Sequence, residues 1–351
     1  MRIEEMDTPF LRLDLDAVEE NLDRFQAYFS EHKIGFRPHI KTHKNLAISR
    51  MQLDRGAIGL TCQKLGETEV LVAGGLITDY LVPYNIIGKQ KLDRLTALAK
   101  QTKMTVAADS EYTVRGLSQA AEAEGVTVGV LVELEMGRTG VTSAEQAADL
   151  GRLIDSLPGI EMRGIMGFPT PPETRERLRE VLDALDEAGL PHPVVSGGST
   201  KCAFQAHEVP ELTEYRAGEY PVGGAGHLWD GRHTVEQCAV RVVTTVVSRP
   251  TPKRAILDAG TKAMSGVIRP GPKGDTVGHV VEYPEAHFHS TSEEHGSLDL
   301  SDCDRRPQIG ELVQVLPVHP CPCINEHDEF VVTRGDKVVG VWPIHARGRL
   351  K

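Results

Sequence analysis

One short segment near the N-terminus concentrates side chains that could do covalent chemistry. Residues 36–44 contain Arg37, Lys41 and Lys44 together with two histidines. Neighbouring positive charges and partial burial favour the neutral amine of a lysine, which is the form that attacks a carbonyl carbon. Lys41 ends an apolar run, so we interpret it as a lysine that forms an imine. The alternative is a solvated basic turn, which composition alone favours.

A second candidate group is a phosphate-binding loop. Gly197, Gly198, Ser199 and Thr200 are consecutive small residues whose N–H groups could form an anion nest, and the Tyr220 hydroxyl could complete it. An ordinary turn is the alternative for so short a motif. An anion nest together with an imine-forming lysine predicts a phosphorylated cofactor that is linked through an imine.

A third candidate group combines an imidazole and a thiol in a proline-rich stretch near the C-terminus. His319 and Cys321 form an H-x-C pair, and imidazole with thiolate suits Zn²⁺ best. Two protein ligands leave positions for substrate and water, as a catalytic metal requires. The alternative is a surface turn that binds no metal.

The elements that must position these residues alternate regularly over the first two thirds of the chain. Eight short apolar runs alternate with helical patterns, which predicts a (β/α)₈ barrel and leaves a doubly wound sheet as the alternative. In a barrel the loops after the strands carry the site, and Lys41, Gln63 and Arg138 follow the first, second and fifth runs. The predicted strands are 34–40, 57–61, 80–83, 105–108, 126–134, 161–166, 193–196 and 214–216, and the predicted helices include 46–54, 64–73, 88–100, 110–123, 143–156, 174–188 and 206–212.

The pattern changes near residue 235 and predicts a second, all-β domain. Strand patterns at 239–248, 254–258, 278–283, 312–316, 329–333 and 337–344 are separated by Pro, Gly and Asp turns. Segments 269–275 and 290–304 are predicted to be mobile loops. The predicted domains are therefore a barrel at 16–235 and a β domain at 236–351 that carries the metal site, with the N-terminal strand in 1–15 packed on the β domain.

Composition excludes several classes of protein. The net charge of −11 argues against a nucleic-acid or anionic-membrane surface. We see no apolar run of about 20 residues and no signal-peptide pattern, so we expect a cytoplasmic protein. Six cysteines in 351 residues do not indicate a disulfide framework.

Eight motifs, in this order along nearly the whole chain, resemble the fold-type III pyridoxal-phosphate enzymes, and specifically the D-threonine aldolase/D-serine dehydratase family. They are residues 7–9 with 13–16, then 37–44, 59–67, 137–141, 197–200, 258–263, 293–296 and 319–322. The resemblance implies a TIM-type barrel with a C-terminal all-β domain, as in alanine racemase. It also implies a homodimer in which the partner's β domain covers the active site.

The resemblance assigns roles to the candidate residues. It makes Lys41 the lysine that binds pyridoxal 5′-phosphate and sets Arg138 beside the ring of that cofactor. It implies a divalent metal, Zn²⁺ or Mn²⁺, at His319 and Cys321, with Lys41 and His319 as the catalytic residues. The expected cofactor-binding residues are His39, Lys41, Gln63, Arg138, Gly197, Gly198, Ser199, Thr200 and Tyr220.

Members of this family cleave or dehydrate β-hydroxy D-amino acids. The resemblance therefore implies retro-aldol cleavage to glycine and an aldehyde, with dehydration of D-serine or 3-hydroxy-D-aspartate to a 2-oxo acid and ammonia as the alternative. An amino-acid racemase is a further alternative, against which the metal pair counts. A non-catalytic cofactor-binding protein is another, against which the second domain counts. Residues 166–172 lack the tyrosine expected in that loop, which leaves the substrate open.

Overall fold

The predicted alternation of strands and helices is present in the structure, a computed structural model that describes residues 1–351. The strands are β1 (Phe10–Asp14), β2 (Gly35–Phe36), β3 (Leu60–Thr61), β4 (Asp79–Val82), β5 (Lys103–Ala108), β6 (Val128–Glu133), β7 (Ile160–Met166), β8 (Val194–Gly198), β9 (Glu214–Arg216), β10 (Val240–Thr251), β11 (Arg254–Leu257), β12 (Arg269–Gly271), β13 (Gly274–Thr276), β14 (Gly278–Val280), β15 (His287–Thr291), β16 (Gly296–Asp299), β17 (Leu312–Pro317), β18 (Glu329–Arg334) and β19 (Lys337–Pro343).

The helices lie mostly in the first two thirds of the chain. They are α1 (Leu15–Glu31), α2 (Leu46–Asp54), α3 (Leu65–Ala73), α4 (Lys89–Ala99), α5 (Glu111–Glu124), α6 (Ala144–Ser156), α7 (Arg175–Glu187), α8 (Ala225–Trp229), α9 (Thr261–Met264) and α10 (Pro320–Asn325). None of them combines the length and the apolar character that spanning a bilayer requires.

Residue contacts divide the chain into two units. The barrel unit comprises Phe25–Lys41, Leu46–Gly218 and Arg349–Lys351, and the β unit comprises Met1–Arg24, Thr42–Asn45 and Glu219–Gly348. The domain boundary at 235 and 236 stays a prediction.

Eight parallel strands form the barrel unit's sheet, in the order β2-β9-β8-β7-β6-β5-β4-β3. The segment that follows the end strand β2 is hydrogen-bonded to the other end strand, β3, because the Thr61 amide donates to the Pro38 carbonyl at 2.8 Å and the Ile40 amide donates to the Thr61 carbonyl at 2.9 Å. The sheet is therefore closed, which confirms the predicted (β/α)₈ barrel and excludes the doubly wound alternative. In a closed parallel barrel all carboxyl ends of the strands lie at one face.

One predicted helix of the barrel unit is wrong. The segment 206–212 does not form an α-helix, and a 3₁₀ helix at Ala203–Glu208 stands in its place. Val209 leaves the helical region with φ −116° and ψ 79°. Pro210 follows it, and a proline both lacks an N–H donor and disfavours helical backbone in the residue before it.

The β unit is built on one nine-stranded sheet in the order β11-β16-β15-β14-β17-β10-β1-β18-β19. The N-terminal strand β1 pairs antiparallel with β10 and parallel with β18. Its side chains Leu11 and Leu13 are fully buried, and burial of each such leucine contributes about 2 kcal/mol to stability. The predicted C-terminal all-β architecture is confirmed.

Two segments predicted to be mobile loops contain strands instead. The first forms the hairpin of β12 and β13, in which Arg269 pairs with Thr276, and Gly274 takes φ +101° at its turn. The second contains β16 and the end of β15, where Phe288 and Leu298 pair with each other and are fully buried. Because these short strands also contain polar residues, their composition did not indicate the buried positions.

Candidate functional site

Lys41 follows the first barrel strand, β2, by five residues. His39 forms an isolated bridge with Thr61, and Lys41 lies in the turn at 40–43 that follows. The Lys41 amine makes no hydrogen bond and no ion pair, and its Nζ lies 6.0 Å from the centroid of the Phe168 ring. An amine without a carboxylate partner is available for bond formation.

Arg138 is presented by a tight loop after β6. Gly140 has φ +126°, and a side chain at this position would lie 2.3 Å from the Leu134 carbonyl carbon. The Gly140 amide also donates to Asp109 Oδ2 at 3.1 Å. These constraints fix the loop, and the exposed Arg138 guanidinium makes no ion pair within the protein.

Lys41 and Arg138 share one aromatic neighbour, Phe168. The Arg138 Cζ atom is 5.0 Å from the centroid of the ring that Lys41 also approaches. Two cations that make no ion pair within the protein and lie near one ring favour binding of an anionic group. We did not predict Phe168 as a site residue, although its loop was the segment that departs from the family pattern.

The Phe168 loop is held by backbone and buried side-chain contacts. The Gly167 amide donates to the Ser196 carbonyl at 3.1 Å. The fully buried Arg216 donates through Nη2 to the Gly167 carbonyl at 2.7 Å. The Thr170 amide donates to the Gly198 carbonyl at 3.1 Å. The ring is therefore positioned by the ends of β8 and β9.

The structure brings together His39 and Gln63, two residues whose binding of the cofactor stays a prediction. His39 Nε2 lies 3.1 Å from Gln63 Oε1, and His39 Nδ1 accepts the Lys41 backbone N–H at 3.4 Å. Burial, and then the charge of Lys41, hold the pKa of His39 well below its usual range. His39 is thus a neutral imidazole that fixes the backbone of Lys41.

The predicted anion nest is only partly available. The Gly198 amide donates to Thr170 Oγ1 at 2.8 Å, and the Ser199 amide donates to the Arg216 carbonyl at 3.0 Å. These two N–H groups are therefore already hydrogen-bonded within the protein, that of Ser199 to a backbone carbonyl and that of Gly198 to a side chain. A side chain at Gly197 would lie 2.7 Å from Thr170 Oγ1, so close packing requires that glycine.

The remaining predicted phosphate residues are placed differently. Thr200 Oγ1 accepts the Gly218 amide at 3.3 Å. Tyr220 belongs to the β unit, where its ring is fully buried and its carbonyl lies 3.0 Å from His233 Nε2. Binding of a phosphate by these residues stays a prediction.

The residues around Lys41 fit pyridoxal 5′-phosphate. This cofactor needs an amine for covalent attachment and partners for its anionic oxygens. The unpaired Lys41 amine meets the first need, and the unpaired Arg138 guanidinium meets the second.

The β unit contains a cluster of possible metal ligands around Glu219. One donor atom each from Glu219, His319 and Cys321 lie within 4.8 Å of one another. Glu219 Oε1 accepts from His319 Nε2 at 3.1 Å and from Cys321 Sγ at 3.4 Å. The structure therefore brings the predicted pair together. Nitrogen, sulfur and carboxylate oxygen are the donors that Zn²⁺ uses in proteins, so the cluster fits a divalent metal.

Short-range structure explains why Cys321, and not Cys323, faces this cluster. Helix α10 begins at Pro320, a residue suited to the first helical position, and His319 is its N-cap. Cys321 Sγ lies 3.1 Å from Thr42 Oγ1. Cys323 is fully buried, its thiol donates to the Ala263 carbonyl, and burial raises its pKa, so it remains a thiol.

Two residues of this cluster, Glu219 and His227, were missed in the sequence. His227 on α8 is buried, and its Nε2 donates to Glu219 Oε2 at 3.1 Å. Burial opposes ionisation of Glu219, but hydrogen bonds from His227 and His319 outweigh it and hold its pKa well below the usual range. Glu219 directly precedes Tyr220, so its place after the eighth barrel strand was the available signal.

Comparisons with known proteins agree with this description. The alanine racemase N-terminal domain family matches residues 13–225, and the serine dehydratase domain family matches residues 239–333. The chain is 33% identical to D-threonine aldolase of Arthrobacter sp, over 98% of this chain and 93% of that protein. It belongs to the D-threonine aldolase/D-serine dehydratase family. The membership predicted from the eight motifs is confirmed.

Other members of the family are similar over comparable lengths. The chain is 30% identical to 3-hydroxy-D-aspartate aldolase of Paracoccus denitrificans (strain Pd 1222), over 98% of this chain and 93% of that protein. It is 28% identical to D-threo-3-hydroxyaspartate dehydratase of Delftia sp. (strain HT23), over 96% and 97%. The crystal structure of D-threonine aldolase from Filomicrobium marinum has a TM-score of 0.89 at 30% identity and covers 100% of this chain and 98% of that chain.

Proposed function

We propose that the protein is a lyase that uses pyridoxal 5′-phosphate and a divalent metal to cleave a β-hydroxy D-amino acid into glycine and an aldehyde. The lyase class and the substrate class predicted from the sequence are confirmed by the named relatives. Cleavage, as opposed to dehydration, is supported by the two aldolases, which are at least 30% identical over 98% of the chain.

The observation that carries the proposal is the donor cluster at His319 and Cys321. Racemisation of an amino acid needs acid–base groups but no metal ligands. A protein that only binds the cofactor does not need such ligands either. A metal site does suit a reaction that begins at a hydroxyl group, because a divalent cation supplies the Lewis acidity that lowers the pKa of a hydroxyl bound to it.

The residues of the barrel unit would hold the cofactor. Pyridoxal 5′-phosphate supplies an electron sink for the charge that develops at the substrate Cα. Lys41 would bind it covalently, and Arg138 would face its anionic oxygen. His39 stays neutral at physiological pH, because burial lowers its pKa, and it therefore adds no further positive charge beside Lys41.

The residues of the β unit would hold the metal. Cys321 favours Zn²⁺ over Mn²⁺, because a thiolate is a softer ligand than a carboxylate. We also assign His319 a catalytic role. Its imidazole, 26% exposed, would hold the metal where a substrate hydroxyl can reach it, whereas the imidazole of His227 is 3% exposed.

Dehydration to a 2-oxo acid and ammonia is the second candidate. The serine dehydratase domain family matches residues 239–333, the part of the chain that carries His319 and Cys321. The Delftia dehydratase is also similar over almost the full length. Both reactions use the same cofactor and a β-hydroxyl, so only the products separate them.

Product analysis tests the proposal. The protein loaded with pyridoxal phosphate and Zn²⁺ is incubated with D-threonine, D-serine and 3-hydroxy-D-aspartate, with L-threonine and the Lys41→Ala protein as controls. Equimolar glycine and aldehyde from a D-substrate is the expected result. Formation of ammonia and a 2-oxo acid would show that the protein catalyses dehydration and not cleavage. Accumulation of the opposite enantiomer, or no product from any substrate, would contradict both.

We also propose that the protein is a cytoplasmic homodimer. The family resemblance implies the dimer, and six free cysteines suit a reducing compartment. Sedimentation equilibrium should give twice the chain mass of 38.4 kDa. A species of 38.4 kDa at micromolar concentration would contradict the dimer.

A further inference from the structure

Glu219 occupies the space between the two predicted metal ligands. We propose that Glu219 is a third protein ligand of the metal, and that His227 holds its carboxylate in place. This inference rests on the proposed metal centre at His319 and Cys321 and changes it from a two-residue to a three-residue site. A third protein ligand would strengthen binding of the metal in the absence of substrate.

The distances around Glu219 are close to those of donors that share one ion. Its Oε1 atom is 3.1 Å from His319 Nε2 and 3.4 Å from Cys321 Sγ. Donors in a tetrahedral zinc shell, with bonds of about 2.0 to 2.3 Å, are separated by roughly 3.3 to 3.6 Å. The His319 and Cys321 donor atoms lie within 4.8 Å of each other, so a metal ion could replace the two protons that now join them to Glu219.

His227 gives the carboxylate one orientation. It donates from Nε2 to Glu219 Oε2, whereas the contacts described above with His319 and Cys321 are made by Oε1. Its other ring nitrogen, Nδ1, is buried and has no hydrogen-bond partner. The imidazole thus makes a single side-chain hydrogen bond. Hydrogen bonding of a ligating carboxylate by an outer group of this kind is a general property of metal sites.

The contact with Arg269 indicates which tautomer of the His319 ring fits its hydrogen bonds. Its Nη2 donates to His319 Nδ1 at 2.9 Å, so Nδ1 is an acceptor and Nε2 carries the proton that Glu219 accepts. Binding of a metal through Nε2 requires that proton to be on Nδ1 instead. The contact with Arg269, an exposed residue of the β12–β13 hairpin, would then open.

Metal binding to the holoprotein tests the role of Glu219 without depending on activity. Metal-depleted protein that retains its cofactor is titrated with Zn²⁺ in competition with a coloured chelator, and with Co²⁺ to record the absorption bands of the bound ion. Wild type is compared with Glu219→Gln, Glu219→Asp, His227→Phe, His319→Ala and, as a matched control on an exposed strand end, Glu329→Gln. Circular dichroism verifies that each variant is folded.

We expect Glu219→Gln to weaken Zn²⁺ binding by about 100-fold and to change the Co²⁺ spectrum. Glu219→Asp keeps the carboxylate, so its Zn²⁺ affinity should lie between the affinities of Glu219→Gln and wild type. His227→Phe should weaken binding by about 10-fold, within the range for outer hydrogen-bond partners. Glu329→Gln should match wild type.

Two different failures can be told apart. Wild-type Zn²⁺ affinity and an unchanged Co²⁺ spectrum in Glu219→Gln, with binding lost in His319→Ala, would overturn the third ligand and leave the metal centre intact. Wild-type affinity in both variants would overturn the metal centre itself. If Glu219→Gln does not fold, Glu219→Asp and His227→Phe provide the test. Wild-type Zn²⁺ affinity in both of these variants would overturn the inference.

Discussion

The two units hold charged residues in opposite ways. In the barrel unit, the side chains of Lys41 and Arg138 make no ion pair within the protein, and both lie near the Phe168 ring. In the β unit, Glu219 already accepts hydrogen bonds from His319 and Cys321. The first arrangement suits an anionic organic molecule that brings its own charge. The second suits a metal ion that displaces protons from donors already assembled.

The largest expected effect removes the amine of the barrel unit. In Lys41→Ala the turnover of D-threonine should fall by at least about 10³-fold, as for loss of other covalent catalytic residues. The absorption of bound pyridoxal phosphate should disappear. Zn²⁺ binding should remain at the wild-type value, because the metal donors lie in the β unit.

The matched control for this change is Lys89→Ala, an exposed helix residue paired with Asp93. It should keep both the absorption and the activity. Retention of the cofactor absorption in Lys41→Ala would contradict the proposal that the Lys41 amine binds pyridoxal phosphate.

A smaller loss is expected from the second unpaired cation. Arg138→Gln should weaken retention of pyridoxal phosphate by about 10- to 100-fold, because a hydrogen bond to a charged group is worth about 1.5 to 3 kcal/mol. Equilibrium dialysis of the free cofactor measures this. Arg152→Gln, a surface arginine paired with Asp149, is the control. Equal retention by Arg138→Gln and wild type would show that Arg138 does not face the cofactor.

Acid should destabilise the protein through buried histidines of the β unit. Burial, and then the charge of His227, lower the pKa of His233 to about 3, and burial also lowers the pKa values of His279 and His327. The unfolded chain takes up protons near pH 6.5 that these folded residues do not, so stability is present above that pH and is lost as pH falls below it.

Urea unfolding at pH 7 and pH 5 measures this effect. His233 alone should contribute a loss of about 2 kcal/mol between these pH values, at 1.36 kcal/mol for each pH unit below about 6.5. In His233→Phe this part of the loss should vanish, whereas the exposed-pair control His192→Gln should behave as wild type. An unchanged pH dependence in His233→Phe would argue against a buried neutral imidazole.

The smallest expected effect concerns the contact that competes with the metal. Arg269→Gln should tighten Zn²⁺ binding by about 2- to 10-fold, because one net hydrogen bond of about 0.5 to 1.5 kcal/mol to His319 Nδ1 no longer has to open. Arg2→Gln, an exposed substitution in the same unit, should change nothing. Weaker binding in Arg269→Gln would show that Arg269 supports the metal and does not compete with it.

The fold was largely predictable because most of its elements carry local signals. Ser110 and Ser143 accept hydrogen bonds at the N-caps of α5 and α6, and both residues mark the predicted helix starts. The hairpin of β12 and β13 was not predictable from such signals. It contains Pro270 and two glycines, residues that are depleted in strands, and its pairing depends on contacts between the strands.

The candidate site was predictable only where a residue follows a barrel strand or belongs to a short motif. Lys41 and Arg138 meet the first condition, and the His319–Cys321 pair meets the second. Glu219 meets the first condition as well, yet it is one of 50 acidic residues and lies 102 residues before Cys321. No spacing pattern links such distant residues, since only the folded β unit brings them together.

The most direct test removes the metal and keeps the cofactor. The holoprotein is treated with a chelator, its metal content is verified, and absorption of bound pyridoxal phosphate and glycine release from D-threonine are recorded in the same sample. The absorption should stay unchanged, while glycine release should fall to background and return when Zn²⁺ is added. Full glycine release from verified metal-free protein would contradict the metal-dependent lyase.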